Sequence, residues 1–105
     1  MARVKWRPTY SLAEIKAQMT TIESMHPTRT AVAGVYAAEM SLKDALAVIQ
    51  ALRVTQHFRK SMPCDHDHTV WQDVYYSDWG GLPLYVKFQR AGVYFVVSFK
   101  ERDVE

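Results

Sequence analysis

The first half of the chain spaces its apolar residues as amphipathic helices do. Ser11, followed three residues later by Glu14, forms a capping box that predicts the start of a helix. The apolar face of this helix carries Leu12, Ile15, Met19 and Ile22. Residues 28–40 are small and apolar on nearly every side, which is typical of a buried helix. Ser41 and Asp44 repeat the capping pattern and predict a third helix.

From about residue 56 the pattern changes to short runs of β-branched and aromatic residues, separated by proline and glycine. These runs predict strands near residues 56–62, 68–76, 83–90 and 93–100. Because the helices come first and consecutive strands follow, we expect an α+β domain with N-terminal helices packed on one face of a mainly antiparallel β-sheet. The other face of that sheet is then available for function.

The last two predicted strands can be paired by their spacing. A two-residue turn at residues 91–92 places Tyr85 opposite Ser98 and diagonal to Lys100. Lys87 then lies on the same face as these three residues. The other face of this hairpin is apolar and is expected to join the core: Leu84, Val86, Phe88, Val97 and Phe99.

Composition sets the broad class of the protein. The 105 residues, 49% of them hydrophobic, suit a single domain over residues 1–105. A formal net charge of +2 permits a nucleic-acid partner without requiring one. The single cysteine excludes an intrachain disulfide, and the opening residues lack the apolar stretch of a signal peptide, so we expect a cytoplasmic protein. No apolar run is long enough to span a membrane, and no membrane partner is expected.

Each predicted strand carries one polar residue suited to phosphate chemistry: Lys60, Gln72, Tyr85 and Lys100. Ammonium, amide and phenol groups on a rigid sheet suit an anionic substrate, because their charge is in place before a pentavalent phosphorane forms. Phosphodiester cleavage is therefore a candidate reaction. The alternative is that all four are ordinary solvated strand residues, and spacing alone brings only Tyr85 and Lys100 together.

Aromatic rings and cations alternate through the strand region, as they do in proteins that stack unpaired bases and follow an RNA backbone. The candidate substrate-binding residues are Arg59, His68, Tyr76, Lys87 and Arg90. His68 is also a candidate for proton transfer. Tyr76 and Trp79 are the stronger candidates for base stacking, whereas Trp71 and Tyr94 are expected to pack in or against the core.

Cys64, His66 and His68 alternate along an extended segment and have side chains that zinc prefers. Structural zinc usually requires four ligands and the chain has no second cysteine, so we favour a polar loop and expect no bound metal. The sequence also lacks a Gly-rich phosphate loop, a His-Glu-x-x-His motif, a nucleophile elbow and a dense carboxylate cluster. An NTPase or metalloenzyme is therefore not expected, and no cofactor is predicted.

Four motifs occur in order along residues 58–101. They are Phe-Arg-Lys-Ser-Met at 58–62, Asp-His-Thr-Val-Trp-Gln-Asp-Val-Tyr at 67–75, Leu-Tyr-Val-Lys at 84–87 and Val-Val-Ser-Phe-Lys-Glu at 96–101. Together they resemble the MqsR family, the motility quorum-sensing regulator toxins. Residues 1–57 match that family mainly in pattern, as a helical region of the expected length.

The resemblance implies a type II toxin of the RelE-like fold. Such a toxin is an endoribonuclease, an mRNA interferase that cleaves mRNA without the ribosome or a metal, preferentially next to a GC dinucleotide. Its expected partners are mRNA and a cognate antitoxin that binds zinc and carries a helix-turn-helix domain. Carried over by position, the proposed catalytic residues of the family fall on Lys60, Gln72, Tyr85 and Lys100.

Three questions stay open at the level of sequence. The segment 63–66 and the loop 77–83 follow no family motif, so sequence preference is not predicted in detail. Several side chains are eligible as the general base: Lys60, His68, Tyr85 and Lys100. The alternatives to a toxin are a noncatalytic module that binds single-stranded RNA on the same face and a metal sensor.

Overall fold

Every helix precedes every strand in the computed structural model, which describes residues 3–102. The helices are α1 (Leu12–Gln18), α2 (Arg29–Ala37), α3 (Leu42–Ala51) and α4 (Val54–His57), with a short 3-10 turn at Glu23–Met25. The strands are β1 (Phe58–Pro63), β2 (Trp71–Trp79), β3 (Leu82–Ala91) and β4 (Tyr94–Glu101). This order confirms the predicted α+β class.

The four strands form one open sheet in the order β1-β2-β3-β4, with each neighbouring pair antiparallel. One side, the core face, carries the buried residues Tyr75, Leu84, Val86, Phe88, Phe95, Val97 and Phe99. These side chains meet the buried residues of α1, α2 and α3 in one apolar cluster. The other side, the polar face, carries Lys60, Gln72, Val74, Tyr76, Tyr85, Lys87, Gln89, Ser98 and Lys100. The expectation that the helices pack on one face is confirmed.

The helix starts follow the predicted caps, but α1 ends earlier than its apolar stripe suggested. Ser11 caps α1 by accepting from the backbone N–H of Glu14, and α3 begins with a full capping box at Ser41. Thr28, for which no cap was predicted, caps α2. Helix α1 stops at Gln18, and Ile22 is 39% exposed. Thr21 and Ser24 exchange side-chain and backbone hydrogen bonds just beyond it, and such local bonds compete with helix formation.

The hairpin between β3 and β4 turns at residues 92–93 rather than 91–92. Gly92 has a φ of 69°, a left-handed conformation that glycine adopts without strain. Tyr85 therefore lies directly opposite Lys100, two residues along β4 from its predicted partner. Because this displacement is even, each side chain stays on the face that was predicted. The predicted turn was wrong, and the predicted faces are confirmed.

Tyr94 does not pack in the core, contrary to the prediction. It is 40% exposed, and its ring stacks on that of His26 with centroids 4.4 Å apart. The residue follows the turn and its side chain lies on the polar face, opposite the face on which the helices pack. Trp71 is half-buried, and the Nζ atom of Lys5 lies 4.1 Å from its ring centroid.

Both edges of the sheet are covered by chain from the first half of the sequence. At β4, the N–H of Thr28 donates to the carbonyl of Val97 at 3.0 Å, and α2 runs directly beside the strand. At β1, Lys5 and Ser61 exchange two backbone hydrogen bonds. This cover leaves less of each edge available for pairing with strands of other chains, which lowers the tendency of a small sheet to aggregate.

Gly34 explains how α2 approaches β4 so closely. A Cβ atom at this position would lie 2.1 Å from the carbonyl oxygen of Phe99. No side chain other than hydrogen fits against a backbone oxygen at that distance. The glycine, which weakens an isolated helix, is therefore required here by packing.

Asp73 fastens the N-terminal segment to the sheet. Its side chain is fully buried, and its carboxylate accepts hydrogen bonds from the backbone N–H of Thr9 at 3.1 Å and of Tyr10 at 2.9 Å. The Tyr10 hydroxyl then donates to the carbonyl of Trp71 at 2.7 Å. The buried charge is thus satisfied by backbone donors, as buried carboxylates require.

Within residues 3–102, none of the helices has both the length and the apolar character that crossing a membrane demands.

Replacing Gly34 with alanine should destabilise the fold. Helix propensity alone predicts a gain of about 1 kcal/mol, but the contact with the Phe99 oxygen forces α2 away from β4. We expect a net loss of roughly 1–3 kcal/mol, the range for overpacking, in the free energy of unfolding measured with urea. Ala33→Gly, at an exposed position of the same helix, should cost only about 1 kcal/mol. A Gly34→Ala protein more stable than wild type would contradict the close packing.

Replacing Tyr75 with phenylalanine should stabilise the protein. The Tyr75 hydroxyl is buried without a hydrogen-bond partner within residues 3–102, and its ring packs against Phe58 and Phe88. Removing an unpaired buried hydroxyl while keeping the ring should raise the free energy of unfolding by about 1 kcal/mol at neutral pH.

The difference in free energy of unfolding between Tyr75→Phe and wild type should increase at alkaline pH. Burial raises the pKa of Tyr75 far above its usual value near 10. The folded state therefore keeps this proton after the unfolded state has lost it, and wild-type stability falls as pH rises above about 10. Phenylalanine has no proton to lose, so the stability of the Tyr75→Phe variant does not fall for this reason. Parallel pH dependences for the two proteins above pH 10 would show that the hydroxyl is solvated.

Candidate active site

The polar face centres on Tyr85 and Lys100, which lie directly opposite each other on β3 and β4. The Nζ atom of Lys100 is 4.9 Å from the centroid of the Tyr85 ring, within the range of a cation–π contact. One row along the sheet, Lys87 lies opposite Ser98. The structure thus brings a phenol, a hydroxyl and two ammonium groups onto neighbouring positions of one rigid hairpin.

These side chains line a cavity of about 210 Å³. Its walls are formed by Thr30, Tyr85, Lys87, Ser98, Phe99 and Lys100. The Oγ1 atom of Thr28 and the Oγ atom of Ser98 are hydrogen-bonded at 3.0 Å, so the start of α2 is fastened to one wall. Sequence reasoning missed Thr30, because only the contact of α2 with β4 brings it to the cavity.

Tyr85 keeps its proton at neutral pH. Burial raises the pKa of its phenol above the usual value, and the neighbouring Tyr76 raises it further. A phenol that holds its proton can donate a hydrogen bond or transfer a proton to a leaving group. It is correspondingly poor as a general base.

Tyr76 lies opposite Tyr85 on β2, with ring centroids 5.9 Å apart. The guanidinium carbon of Arg59 is 5.1 Å from the Tyr76 centroid, and that of Arg102 is 4.4 Å from it. The guanidinium groups of Arg59 and Arg102 therefore both lie over the ring of Tyr76. Arg102 lies beyond the last predicted strand and beyond the four motifs of residues 58–101, so no sequence pattern indicated a role for it.

Lys60 lies on the same face, in the row that contains Lys87. It is opposite Val74 on β2, which is in turn opposite Lys87 on β3. A β-bulge between Phe58 and Lys60 sets this register. Val74 is fully buried, so the two lysines lie on either side of an apolar residue.

Gln72 is on the polar face but apart from the cavity. It is only 7% exposed, and its Nε2 atom donates to Oε1 of Gln89 at 2.7 Å. It lies four residues along β2 from Tyr76, the partner of Tyr85, which corresponds to about 13 Å of strand. The structure does not bring Gln72 together with Tyr85 and Lys100.

Two further predicted residues lie elsewhere. His68 is exposed in the loop before β2, where its carbonyl accepts a hydrogen bond from Nη2 of Arg3 at 2.8 Å. Arg90 projects from the helix side of β3, with its guanidinium carbon 4.6 Å from the Phe95 ring centroid. Among the substrate-binding candidates, the structure brings together Arg59, Tyr76 and Lys87.

The loop that suggested a metal sensor holds no preformed ligand set within residues 3–102. Cys64 is buried, whereas His66 and His68 are exposed. The backbone N–H of Cys64 donates to the carbonyl of Val70 at 2.8 Å, which closes the loop. An Asp67 carboxylate that accepts from Thr69 completes a local turn.

Comparison with known proteins bears on the whole chain. A family model described as "Motility quorum-sensing regulator, toxin of MqsA" matches residues 7–101. No curated protein matches the chain. The match spans all four helices and all four strands of the described region, including the polar face and its cavity. The chain therefore belongs to the motility quorum-sensing regulator family of toxins.

Proposed function

We propose that this protein is the toxin of a type II toxin–antitoxin system and an endoribonuclease that cleaves mRNA. The cavity lined by Tyr85, Lys87 and Lys100 carries this proposal, because it combines a protonated phenol with two cations at a site with room for a phosphate group. The family match supports the toxin role. We further propose that it cleaves at GC-containing sites and needs neither a metal nor the ribosome.

The reaction is attack of a ribose 2′-OH on the adjacent phosphorus. A bond forms between O2′ and phosphorus while the proton of the 2′-OH passes to solvent water. The bond from phosphorus to O5′ breaks, and the products are a cyclic phosphate and a free 5′-OH. Lys100, at the cavity, neutralises the charge that develops on the phosphorane oxygens. Lys60 and Lys87 add positive charge in the neighbouring row.

Tyr85 serves as the general acid. Its raised pKa keeps the phenol protonated at neutral pH, and its position opposite Lys100 supports a role beside the phosphate that we propose binds in the cavity. The proton passes to O5′ as the P–O5′ bond breaks. The Nζ atom of Lys100, 4.9 Å from the ring centroid, favours the phenolate that remains.

Gln72 contributes away from the reacting atoms. Its amide is hydrogen-bonded to that of Gln89, and the pair lies two rows along the polar face from Tyr85. Amides present both donors and acceptors, which suits the edge of a base. We assign Gln72 to nucleotide positioning through this pair.

The partners of this function are mRNA and a cognate antitoxin of the zinc-binding, helix-turn-helix type. The competing function is a noncatalytic module that holds single-stranded RNA on the same polar face. Tyr76 with its two guanidinium groups favours RNA binding in either case. Incubating a GC-containing RNA with the purified protein separates the two, because only the endoribonuclease shortens it.

Tyr85→Phe should reduce kcat for RNA cleavage by about 10²–10⁴-fold, the usual contribution of a general acid. The ring that contacts Lys100 is retained, so KM should change little. Tyr36→Phe, an identical change at a tyrosine of α2 that is 60% exposed, is the matched control and should cleave as wild type does. Undiminished cleavage by Tyr85→Phe would remove the phenol from the mechanism.

The pH profile of wild type tests the same role. A general acid is active while protonated, and the pKa of Tyr85 lies above its ordinary value near 10. Cleavage should therefore show no loss from this group at pH values up to about 10 and should decline above it. A decline with an apparent pKa well below 10 that is absent from Tyr85→Phe would contradict the assignment.

Lys100→Ala and Lys60→Ala should each lower kcat/KM, by roughly 10²-fold for the residue at the cavity, because one charge that stabilises the phosphorane is lost. Lys43→Ala, exposed on α3, is the control for loss of a lysine. Wild-type cleavage should persist in EDTA and stop when the antitoxin is added. Unchanged cleavage by Lys100→Ala would refute the site.

A further inference from the structure

We propose that Arg59, Tyr76 and Arg102 form a second phosphate site, which binds the RNA phosphate next to the one that is cleaved. The proposal rests on the endoribonuclease function given above and extends it to the substrate backbone. Tyr76 is the support on which the two guanidinium groups lie, and the guanidinium groups are the contacts with RNA. We call these three residues the guanidinium clamp.

The clamp is assembled from three separate elements. Arg59 comes from β1 and Tyr76 from β2, whereas Arg102 follows β4 and is held there by its backbone N–H, which donates to the carbonyl of Pro83 at 3.0 Å. To reach Tyr76, the Arg102 side chain crosses β3 on the polar face. Both guanidinium carbons lie within 5.1 Å of one ring centroid. Such convergence does not arise from neighbours along one strand.

Two like charges beside one ring repel each other, and a bound anion relieves that repulsion. The Nε atom of Arg102 is buried and has no hydrogen-bond partner within residues 3–102. Because this atom is closed to solvent, the side chain is held in place, and its terminal Nη groups are the ones left to bind an acceptor that RNA supplies. Phosphate fits best, because guanidinium groups bind its oxygens in a planar, bidentate manner.

The arrangement changes the role of Tyr76. The two guanidinium groups lie over the Tyr76 ring, and the Tyr85 ring is beside it with the centroids 5.9 Å apart. The ring therefore contacts protein cations rather than a base. Tyr76 acts as a positioning residue, through Arg59 and Arg102.

The clamp lies beside the reaction centre, because Tyr76 is paired with Tyr85 and Tyr85 is paired with Lys100. A phosphate held by the clamp is thus adjacent to one held in the cavity, as successive phosphates are along an RNA strand. The phosphate held by the clamp takes no part in bond breaking. The clamp therefore contributes equally to binding of the substrate and of the transition state. Its loss should raise KM and leave kcat unchanged.

The test measures binding of an RNA oligonucleotide with 2′-O-methyl groups, which cannot be cleaved because the attacking hydroxyl is blocked. Fluorescence anisotropy over a series of salt concentrations gives the slope of log affinity against log salt. Each phosphate contact with single-stranded RNA contributes about 0.7 to that slope. Arg102→Gln and Arg59→Gln should each reduce it by about 0.7 and weaken binding roughly tenfold at low salt.

Variants of the ring distinguish support from stacking. Tyr76→Phe keeps the aromatic surface and should bind as wild type does. Tyr76→Leu should reduce the salt slope as the arginine variants do, because both guanidinium groups lose their position. If Tyr76→Leu weakens binding with an unchanged slope, the ring stacks a base and the clamp is refuted.

Lys43→Gln is the control for charge, because it removes one exposed cation from α3 on the helix side of the molecule. Its salt slope should equal that of wild type, and thermal unfolding should show that every variant is folded. A slope that stays at the wild-type value in both arginine variants overturns the clamp. A wild-type protein that binds but does not cleave unmodified RNA overturns the proposed activity instead, since the slope is measured without cleavage.

Discussion

The pairing of β3 with β4 determines where the four polar residues that line the cavity wall on these strands lie: Tyr85, Lys87, Ser98 and Lys100. Tyr85 meets Lys100 and Lys87 meets Ser98 because this hairpin has one register. A strand displaced by a single residue would turn its polar side chains into the core and its apolar ones into the cavity. The apolar side chains on the core face resist that displacement, since burying them stabilises the fold by about 25 cal/mol per Å². Core packing and site geometry are thus two results of one register.

The register is supported by chain on both outer edges of the sheet. Helix α2 lies against β4 through Gly34, and the N-terminal segment lies against β1 through backbone bonds at Ser61 and the carboxylate of Asp73. Helix α2 also contributes Thr30 to the cavity wall. Each support limits the movement of a strand that carries a lysine of the polar face, and such rigidity is the preorganisation that charge stabilisation requires.

Local signals made much of this predictable from sequence. Capping residues such as Ser41 marked the helix starts, and the two-residue period of the strands assigned residues such as Tyr85 and Phe88 to opposite faces. Features that depend on contacts between residues far apart in the sequence could not be predicted from local patterns. Asp73 binds backbone 64 residues away, and Arg102 reaches a ring on another strand, so neither role has a local pattern. The turn was misplaced because 91–92 and 92–93 both contain the glycine that a turn needs.

Long-range contacts of this kind also govern when the site exists during synthesis. Thr28 is joined to Ser98, 70 residues later, and Thr9 to Asp73, 64 residues later. Contacts so distant in sequence form slowly, and helices made first have no sheet to pack on until β4 is available. Since β4 also supplies Lys100, a nascent chain lacks both a closed core and a complete site until that strand is translated. The cavity of the polar face therefore forms only after the last strand of the sheet has been made.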